Sequence, residues 1–172
     1  MRKLKLQVQM SVDGYIAGPN GEMDWMEWNW DEELKNYVRA ITAPVDCIIL
    51  GRKLAQGFIS YWASNPEQEG ADKINSSKKV VFTKTLDKSE WDNTVLAKGD
   101  LADEIIHLKK QAGKDIITYG GATLVSALIE HGLIDEYHLL INPTAIGNGM
   151  AIFKELTSKQ HLILVNSTSF EC

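Results

Sequence analysis

The chain has 172 residues, of which 44% are hydrophobic. It contains 18 Lys and Arg and 23 Asp and Glu, which gives a net charge of -5. This length predicts one domain over residues 1–172, and the acidic balance argues against nucleic-acid and membrane partners. Cys47 and Cys172 are isolated, and no apolar run approaches the ~20 residues of a membrane span. We therefore expect a cytoplasmic protein.

The first half of the chain alternates strand and helix signals. Residues 4–10 alternate apolar and polar side chains, the pattern of a half-buried strand, and residues 11–30 contain enough glycine and proline to predict a long loop. Acidic residues open a predicted helix over 31–43. The remaining predictions here are a buried strand over 46–50, a short helix over 52–58 and a polar loop over 60–77.

The second half continues the alternation until the last thirty residues. Strands are predicted over 78–83, 94–97, 115–119 and 135–141, and helices over 100–113 and 121–132. Residues 143–172 predict a loop followed by one or two antiparallel strands. The alternation favours an α/β fold with a mixed, mostly parallel central sheet, helices on both faces and an antiparallel C-terminal edge.

Three predicted strands end in short segments that suit a phosphorylated ligand. Glycine lets a phosphate approach the backbone N–H groups at a helix start, and nearby cations balance its charge. Each segment has an ordinary alternative, since a glycine pair is often a plain turn and an Arg-Lys pair a solvated helix start. Their combination in one short chain favours a nucleotide. The segments are Gly51-Arg52-Lys53, Thr83-Lys84 and Gly120-Gly121-Ala122-Thr123.

The loop over 11–30 is rich in tryptophan and leads to an acidic helix start. Aromatic rings around a carboxylate suit a flat nitrogen heterocycle, which stacks on the rings and donates to the acid. A carboxylate buried there would have a raised pKa and would protonate a ring nitrogen, while a role in the helix dipole alone is the equal alternative for Asp31. The alternative for the tryptophans is a place in the core or in a dimer interface. The residues are Trp25, Trp28, Trp30, Asp13, Asp24 and Asp31.

Several other kinds of site have no support in the sequence. The four histidines are scattered and no cysteine pair is present, so no metal site is predicted. A G-x-S-x-G elbow, a G-x-x-x-x-G-K-[ST] loop and a G-x-G-x-x-G after the first strand are all missing. Hydride transfer from a nicotinamide needs neither metal nor nucleophile, and these absences favour it.

The order of several motifs resembles the dihydrofolate-reductase-like superfamily. The resemblance is closest to the reductase domain of bacterial riboflavin biosynthesis proteins and their stand-alone relatives. It implies a three-layer fold, NADPH as cofactor, a homodimer, and reduction of a pyrimidine- or pteridine-like substrate, as in 5-amino-6-(5-phosphoribosylamino)uracil reductase. The motifs are "MSVDGYIAGPNGEMDW", "ILGRK", "VVFTKTL", "YGGATLVSALIEHGLIDEYHLLINP" and "IGNGMAIF".

The resemblance also implies roles for individual residues. It places the pyrophosphate at Gly120, Gly121, Ala122, Thr123 and Leu124, and the phosphates between Gly51, Arg52 and Lys53. Thr83 and Lys84 would meet the adenosine end and its 2′-phosphate, while Ile16 and Ala17 would flank the nicotinamide. Asp13 would face the substrate. Alignment on Trp25 puts Trp30 and Asp31 near the acid that pairs with the pterin in dihydrofolate reductases, which makes Asp31 the other candidate catalytic acid.

Two departures from the family pattern leave alternatives open. Relatives commonly have Gly-Arg-x-Thr, where this chain has Leu54 in the fourth position. Dihydrofolate reductases carry one acid on the first helix, whereas here Trp30 falls near that place with Asp31 beside it, so the folate assignment is weaker than the fold assignment. The resemblance does not extend to the zinc-binding deaminase domain of the bifunctional enzymes. A stand-alone reductase is our leading interpretation, and a dihydrofolate reductase is the alternative enzyme. A nucleotide-binding module without catalysis is a third possibility, and a protein that binds no nucleotide is a fourth.

Overall fold

The computed structural model describes residues 1–154 and 156–172. Its strands are β1 (Leu4–Ser11), β2 (Tyr15–Ala17), β3 (Val45–Gly51), β4 (Lys78–Phe82), β5 (Thr94–Ala97), β6 (Asp115–Thr118), β7 (Glu136–Asn142) and β8 (Met150–Ala151). Its helices are α1 (Glu32–Thr42), α2 (Arg52–Ser64), α3 (Ala71–Ser76), α4 (Leu101–Lys110) and α5 (Ala122–Glu130).

Six of the strands form one sheet in the order β5-β4-β3-β6-β1-β7. All of the pairings in this sheet, taken over the described residues, are parallel. The carboxyl ends of the strands therefore share one edge of the sheet, where loops lead into helix N-termini.

Helices cover both faces of this sheet, as the sequence predicts. On one face, apolar side chains of β1 such as Leu4, Leu6 and Val8 pack with α4 and α5. On the other face, Ile48 and Leu50 of β3 pack with α2 and α3. The helix α1 lies on this second face, where the backbone oxygen of its residue 41 accepts from a lysine of β1. The α/β three-layer fold is thus confirmed.

The antiparallel pairing lies in a different place from the predicted one. We expected an antiparallel C-terminal strand at the edge of the central sheet. The antiparallel pair consists instead of β2 and β8, in a separate two-stranded sheet. Residues 156–172 contain no strand, although their sequence favours one.

Two predicted loops contain regular structure. The helix predicted over 52–58 continues to residue 64 as α2, and the region called a polar loop also holds α3. Ile59 and Ala71 are buried and anchor these helices to the sheet, so packing overrides the polar composition. The predicted loop over 11–30 includes β2. No helix among the described residues has the length and apolar character to cross a bilayer.

Candidate functional site

The three predicted phosphate segments follow neighbouring strands. β3 pairs with β4 on one side and with β6 on the other, all in parallel. Gly51 ends β3, Thr83 follows β4, and Gly120 lies two positions beyond β6. These segments therefore emerge side by side at the carboxyl edge of the sheet.

Close approaches between glycines and neighbouring helices bring α2 and α5 together. A Cβ atom built on Gly121 would lie 3.8 Å from the Cβ of Leu54 in the first turn of α2. A Cβ atom built on Gly51 would lie 3.6 Å from the Cβ of Leu124 in the first turn of α5. The starts of the two helices are thus in contact, each lying against the glycine that precedes the other.

The N-termini of these two helices, like that of the short helix α3, lack the side-chain caps that α1 and α4 have. Asp31 caps α1 and Asp100 caps α4, each accepting from backbone N–H groups of the first turn. Gly51 before α2 and Gly121 before α5 provide no such hydrogen bond, and Gly121 has a left-handed φ of 84°. The first N–H groups of both helices, with the positive ends of their dipoles, are left available to an anion.

Three cations accompany these helix starts. Arg52 and Lys53 open α2, and Lys84 follows β4. No acidic residue of the described chain forms an ion pair with any of them. The buried Thr83 has a structural part here, because its hydroxyl oxygen accepts from the N–H groups of Thr85 and Leu86, each at 3.1 Å. It shapes the turn that carries Lys84.

An apolar wall stands beside the glycine pair. A Cβ atom built on Gly120 would lie 3.9 Å from Ile16 Cδ1 and 3.9 Å from Val8 Cγ1. Ile16 and Ala17 are buried in β2. The pairing of β2 with β8 holds them there, so the predicted nicotinamide wall and phosphate segment adjoin.

Asp13 ties two loops of the site together. Its carboxylate accepts from the backbone N–H groups of Ile146 at 3.2 Å and Gly147 at 2.7 Å. The Ser11 hydroxyl, followed by these N–H groups, holds the pKa of this exposed carboxyl below its ordinary value. Asp13 therefore stays ionised near neutral pH, which suits a loop anchor better than a proton donor.

Asp31 is engaged through both of its carboxylate oxygens. One accepts from Leu34 N at 2.7 Å in the cap of α1, and the other accepts from Glu171 N at 3.0 Å in the C-terminal tail. The sequence left open whether this acid serves the helix or a substrate. Its observed partners are those of a helix cap that also holds the tail.

The predicted aromatic residues differ in their environments. Trp30 donates through Nε1 to the Glu27 carbonyl oxygen at 3.0 Å and stacks on the exposed Trp28, with ring centroids 6.2 Å apart. Trp25 is half-buried, and its Nε1 is a buried donor that finds no acceptor in the described chain. Such a donor suits a ligand oxygen.

A row of polar side chains beneath α1 was missed in the sequence. Gln7 of β1 lies opposite His138 of β7, and Gln9 lies one step further along β1, where its Oε1 accepts from Asn142 Nδ2 at 3.1 Å. Gln7 is buried, and its Oε1 has no hydrogen-bond partner among the described residues. His138 Nε2 lies 3.5 Å from a carboxylate oxygen of Glu136. The backbone N–H of Glu27 donates to Asn142 Oδ1 at 2.8 Å, which joins the tryptophan loop to this row.

This row had a signal in the sequence that we interpreted differently. The alternation of residues 4–10 was read as a strand with one face in solvent. In an α/β sheet an inner strand is covered on both faces, and Lys5 and Gln7 are indeed buried with the apolar residues. Polar side chains on an inner strand require partners, so they mark a candidate site.

His138 offers a test of this buried row through pH. Burial lowers the pKa of His138 below its ordinary value, Glu136 opposes this shift and the positive charge of Lys5 adds to it. The Tyr37 hydroxyl is hydrogen-bonded to His138 Nδ1 at 2.7 Å. The unfolded state then binds the proton more readily than the folded state, so the free energy of unfolding falls as the pH drops below about 6.5. The slope is at most about 1.4 kcal/mol per pH unit, and the free energy of unfolding levels off below the pKa of the folded state.

The measurement is the melting temperature of the wild type and His138→Gln between about pH 5 and pH 7.5. The other three histidines are exposed, and carboxylates titrate mainly below this window. We expect the melting temperature of His138→Gln to depend less steeply on pH than that of the wild type. The same slope in both proteins would assign the dependence to another group.

No three His, Cys, Asp or Glu residues of the described chain are arranged to hold a metal ion. The site is therefore built, over this part of the chain, from glycine backbones, cations, an apolar wall and a buried polar row.

Sequence comparison shows relatives over nearly the full length. A family model described as the RibD C-terminal domain matches residues 2–172. The chain is 34% identical to the "Uncharacterized protein YyaP" of Bacillus subtilis (strain 168), covering 98% of this chain and 89% of that protein. It is 28% identical to the "Uncharacterized protein YwjB" of the same organism, covering 98% and 92%.

Structural comparison shows the same fold in solved proteins. A putative riboflavin biosynthesis protein from Shewanella sp. PV-4 superposes with a TM-score of 0.74 at 24% identity, covering 98% of this chain and 92% of that one. A diaminohydroxyphosphoribosylaminopyrimidine deaminase/5-amino-6-(5-phosphoribosylamino)uracil reductase from Thermotoga maritima superposes with a TM-score of 0.64 at 16% identity. That match covers 92% of this chain and 49% of the longer protein.

Proposed function

This chain belongs to the RibD C-terminal domain family, and from this premise we propose that it is an NADPH-dependent reductase that transfers hydride to a pyrimidine- or pteridine-like heterocycle. The family is associated with the reductase of riboflavin biosynthesis, and the fold is that of its solved reductase-containing neighbour. The meeting of two helix N-termini without side-chain caps, at α2 and α5, carries the proposal.

The residues at this meeting point fit an anionic dinucleotide. Gly51 and Gly121 leave the backbone bare where α2 and α5 begin, and a carboxylate cap would repel a phosphate there. Arg52, Lys53 and Lys84 supply positive charge in a protein whose net charge is -5. Without them the acidic background would oppose the binding of NADPH.

Leu54 modifies this phosphate site. Its side chain lies against Gly121 and has no hydroxyl to donate to a phosphate. The affinity then depends on backbone N–H groups and cations, which are charge-assisted contacts of about 1.5–3 kcal/mol each.

The bound cofactor would supply the hydride, and the chain would position the reactants. Ile16 and Ala17, held by the β2–β8 pairing beside Gly120, would form the apolar side of the nicotinamide pocket and exclude water from it. A hydride acceptor would lie toward the buried polar row. Gln7 Oε1 in that row offers an acceptor to the polar edge of a heterocycle, and Trp25 Nε1 in the tryptophan loop is a second buried group without a partner in the described chain.

Asp13 is not assigned the role of proton donor, because its pKa is lowered by hydrogen bonds from Ser11 and from backbone N–H groups. Asp31 has both oxygens occupied by backbone N–H groups. We assign these two acids to the positioning of loops around the substrate. The alternative function, dihydrofolate reductase, depends on a free acid at Asp31. Turnover of dihydrofolate by the wild type that is lost in Asp31→Asn would support this alternative.

The test of the proposal is the melting temperature in saturating NADPH and then in saturating NADH. A ligand at ~100 times its Kd adds about 2.7 kcal/mol, which raises the Tm of a chain of this size by about 5–10 °C. We expect a larger shift with NADPH than with NADH because Lys84 meets the 2′-phosphate. Lys84→Gln should reduce that difference.

Lys88→Gln is the matched control, since Lys88 is an exposed lysine on the same connection between β4 and β5 whose Nζ lies 3.8 Å from a carboxylate of Glu90. It should preserve the preference for NADPH. Equal shifts with both nucleotides in the wild type would remove the 2′-phosphate assignment. No shift with either would contradict the reductase proposal and favour a protein that binds no nucleotide.

A further inference from the structure

The reduction of a heterocycle consumes a proton, and the carboxylates around the proposed site are engaged elsewhere. Hydride adds to the carbon of a C=N or C=O bond, the π electrons of that bond move to the nitrogen or oxygen, and this atom takes a proton. Asp13 accepts from Gly147 N at 2.7 Å, and Asp31 accepts from Leu34 N at 2.7 Å. Glu27 accepts from the backbone N–H groups of the two residues that follow it, each at 3.0 Å. The proton is thus left to another group of the site or to water.

Tyr37 joins α1 to the buried polar row through a short hydrogen bond. Its hydroxyl lies 2.7 Å from His138 Nδ1, and His138 lies directly opposite Gln7 in the pairing of β1 with β7. Gln7 Oε1 has no partner among the described residues. A tyrosine hydroxyl has one donor and two acceptor positions, so the bond to His138 does not exhaust the capacity of Tyr37. A ligand held by Gln7 would lie next to the Tyr37–His138 pair.

Glu136 decides which nitrogen of His138 carries the proton in the neutral ring. One of its carboxylate oxygens lies 3.5 Å from His138 Nε2, and a carboxylate on that side favours a proton on Nε2. Nδ1 then accepts from the Tyr37 hydroxyl. In the imidazolium form both ring nitrogens carry protons, so Nδ1 donates to the Tyr37 oxygen instead. The hydroxyl proton of Tyr37 is then free to point toward a ligand.

Charged side chains on neighbouring strands face the His138 ring. Burial lowers the pKa of His138, Glu136 on β7 opposes this shift, and Lys5 on β1 adds to it. Lys5 Nζ is paired with Asp115 of β6 at 3.1 Å, and Lys3 Nζ is paired with Glu136 at 2.6 Å. An imidazolium with a lowered pKa is a stronger acid than an ordinary one, which suits a proton donor.

We propose that Tyr37 donates the proton to the reduced substrate and that His138 replaces it through Nδ1, while Glu136 holds the ring in position. The Tyr37 O–H bond breaks as the new N–H or O–H bond of the product forms, and the Nδ1 proton moves to the Tyr37 oxygen. Tyr37 ends protonated, and His138 ends as a neutral ring that takes a proton from solvent before the next turnover. Tyr37 is the catalytic residue, and the other two are positioning residues.

The raised pKa of Tyr37 is the reason for this coupling. Burial, followed by the charge of Glu136, raises that pKa, so a free tyrosinate is disfavoured and the proton must be replaced as it leaves. The assignment rests on the proposed function, since a proton is needed only if a substrate is reduced. It concerns residues that lie outside the phosphate segments.

The test is the single-turnover reduction of 5-amino-6-(5-phosphoribosylamino)uracil by NADPH, followed by the loss of NADPH absorbance between about pH 5 and pH 8. We expect the wild-type rate to fall about tenfold per pH unit above the pKa of His138, because only the imidazolium form can replace the proton. Tyr37→Phe should lower the rate by about a hundredfold or more and leave the Kd of NADPH unchanged. His138→Gln should be slow and should lose this pH dependence.

Nitrogen NMR of the imidazole rings in the cofactor-free protein gives a second readout. We expect neutral His138 to carry its proton on Nε2, and its pKa to match that of the wild-type rate profile. Glu136→Gln removes the charge that opposes the effect of burial, so it should lower this pKa and move the rate profile to lower pH by the same amount. A neutral ring with its proton on Nδ1 would overturn the proposal.

Tyr61→Phe is the matched control, because Tyr61 is a 52% exposed tyrosine near the end of α2. It should keep the wild-type rate and pH profile. A wild-type rate in Tyr37→Phe, or an unchanged profile in His138→Gln, would assign the proton to water and overturn this proposal while the reductase assignment stands. A wild type that binds NADPH and reduces nothing at any pH would overturn both.

Discussion

Gly121→Val will weaken NADPH binding by about a hundredfold or more while the chain still folds. Gly121 has a φ of 84°, a region in which a β-branched residue is strained by about 1–2 kcal/mol. The chain can relieve that strain only by turning the peptide that precedes α5. The N–H groups at the start of α5 then no longer converge on the phosphate of the proposed cofactor. The loss of two charge-assisted hydrogen bonds, at about 1.5–3 kcal/mol each, gives the stated factor.

The measurement is a fluorescence titration of NADPH together with chemical unfolding, and the matched control is Gly132→Val. Gly132 lies just beyond the other end of α5, has a φ of 61° and would meet no atom within 4 Å. Gly132→Val therefore introduces a similar backbone strain at a position away from the proposed phosphate site. We expect both variants to lose about 1–2 kcal/mol of stability and only Gly121→Val to lose affinity. Equal affinity in the two variants would show that the glycine pair serves only as a turn.

Gly149→Ala will affect the nicotinamide end of the proposed cofactor site and not its adenosine end. A Cβ atom on Gly149 would lie 2.3 Å from the carbonyl oxygen of Ala17 and 3.1 Å from the Cβ of Tyr15. This overlap involves backbone, so no side-chain rotation relieves it, and β2 must move away from β8. We expect a loss of about 1–3 kcal/mol in stability. Because Ile16 lies in β2, the proposed nicotinamide wall moves as well, and NADPH affinity should fall about tenfold, equivalent to 1.4 kcal/mol.

The adenosine half of the cofactor provides the discriminating ligand. Adenosine 2′,5′-bisphosphate lacks the nicotinamide, so calorimetric titration should give the same affinity for it in the wild type and in Gly149→Ala. Gly57→Ala is the control for the added methyl group, because Gly57 lies in α2 and a Cβ there would meet nothing within 4 Å. It should leave both affinities unchanged and stabilise the helix by about 0.5–1 kcal/mol. An equal loss of affinity for NADPH and for adenosine 2′,5′-bisphosphate in Gly149→Ala would mean that β2 supports the whole site.

Local patterns in the sequence were enough to place most elements of the fold. The periodicities over 31–43, 100–113 and 121–132 correspond to α1, α4 and α5, and the apolar run over 46–50 lies in β3. The glycine pair at the start of α5 also stood out, because only a bare backbone suits that position. These are properties of neighbouring residues, which is why a reading along the chain recovers them.

Errors arose where packing or pairing decided the conformation. Residues 60–64 belong to α2 because Ile59 beside them is buried against the sheet, although the composition of the region is polar. The run over 162–165 has the composition of a strand and pairs with no other segment of the described residues. A strand needs a partner to satisfy its backbone, and composition alone does not supply one.

The sequence by itself determined the α/β class, the parallel sheet and the residue types that could bind a phosphate. Only the tertiary structure decided that Gly121 lies against Leu54, that Gly120 adjoins Ile16, and that β2 pairs with β8. It also decided that Gln7 is buried opposite His138. Periodicity and turn chemistry act between residues a few positions apart, whereas a site at the edge of a sheet is made by strand order, which joins segments that are far apart in the chain.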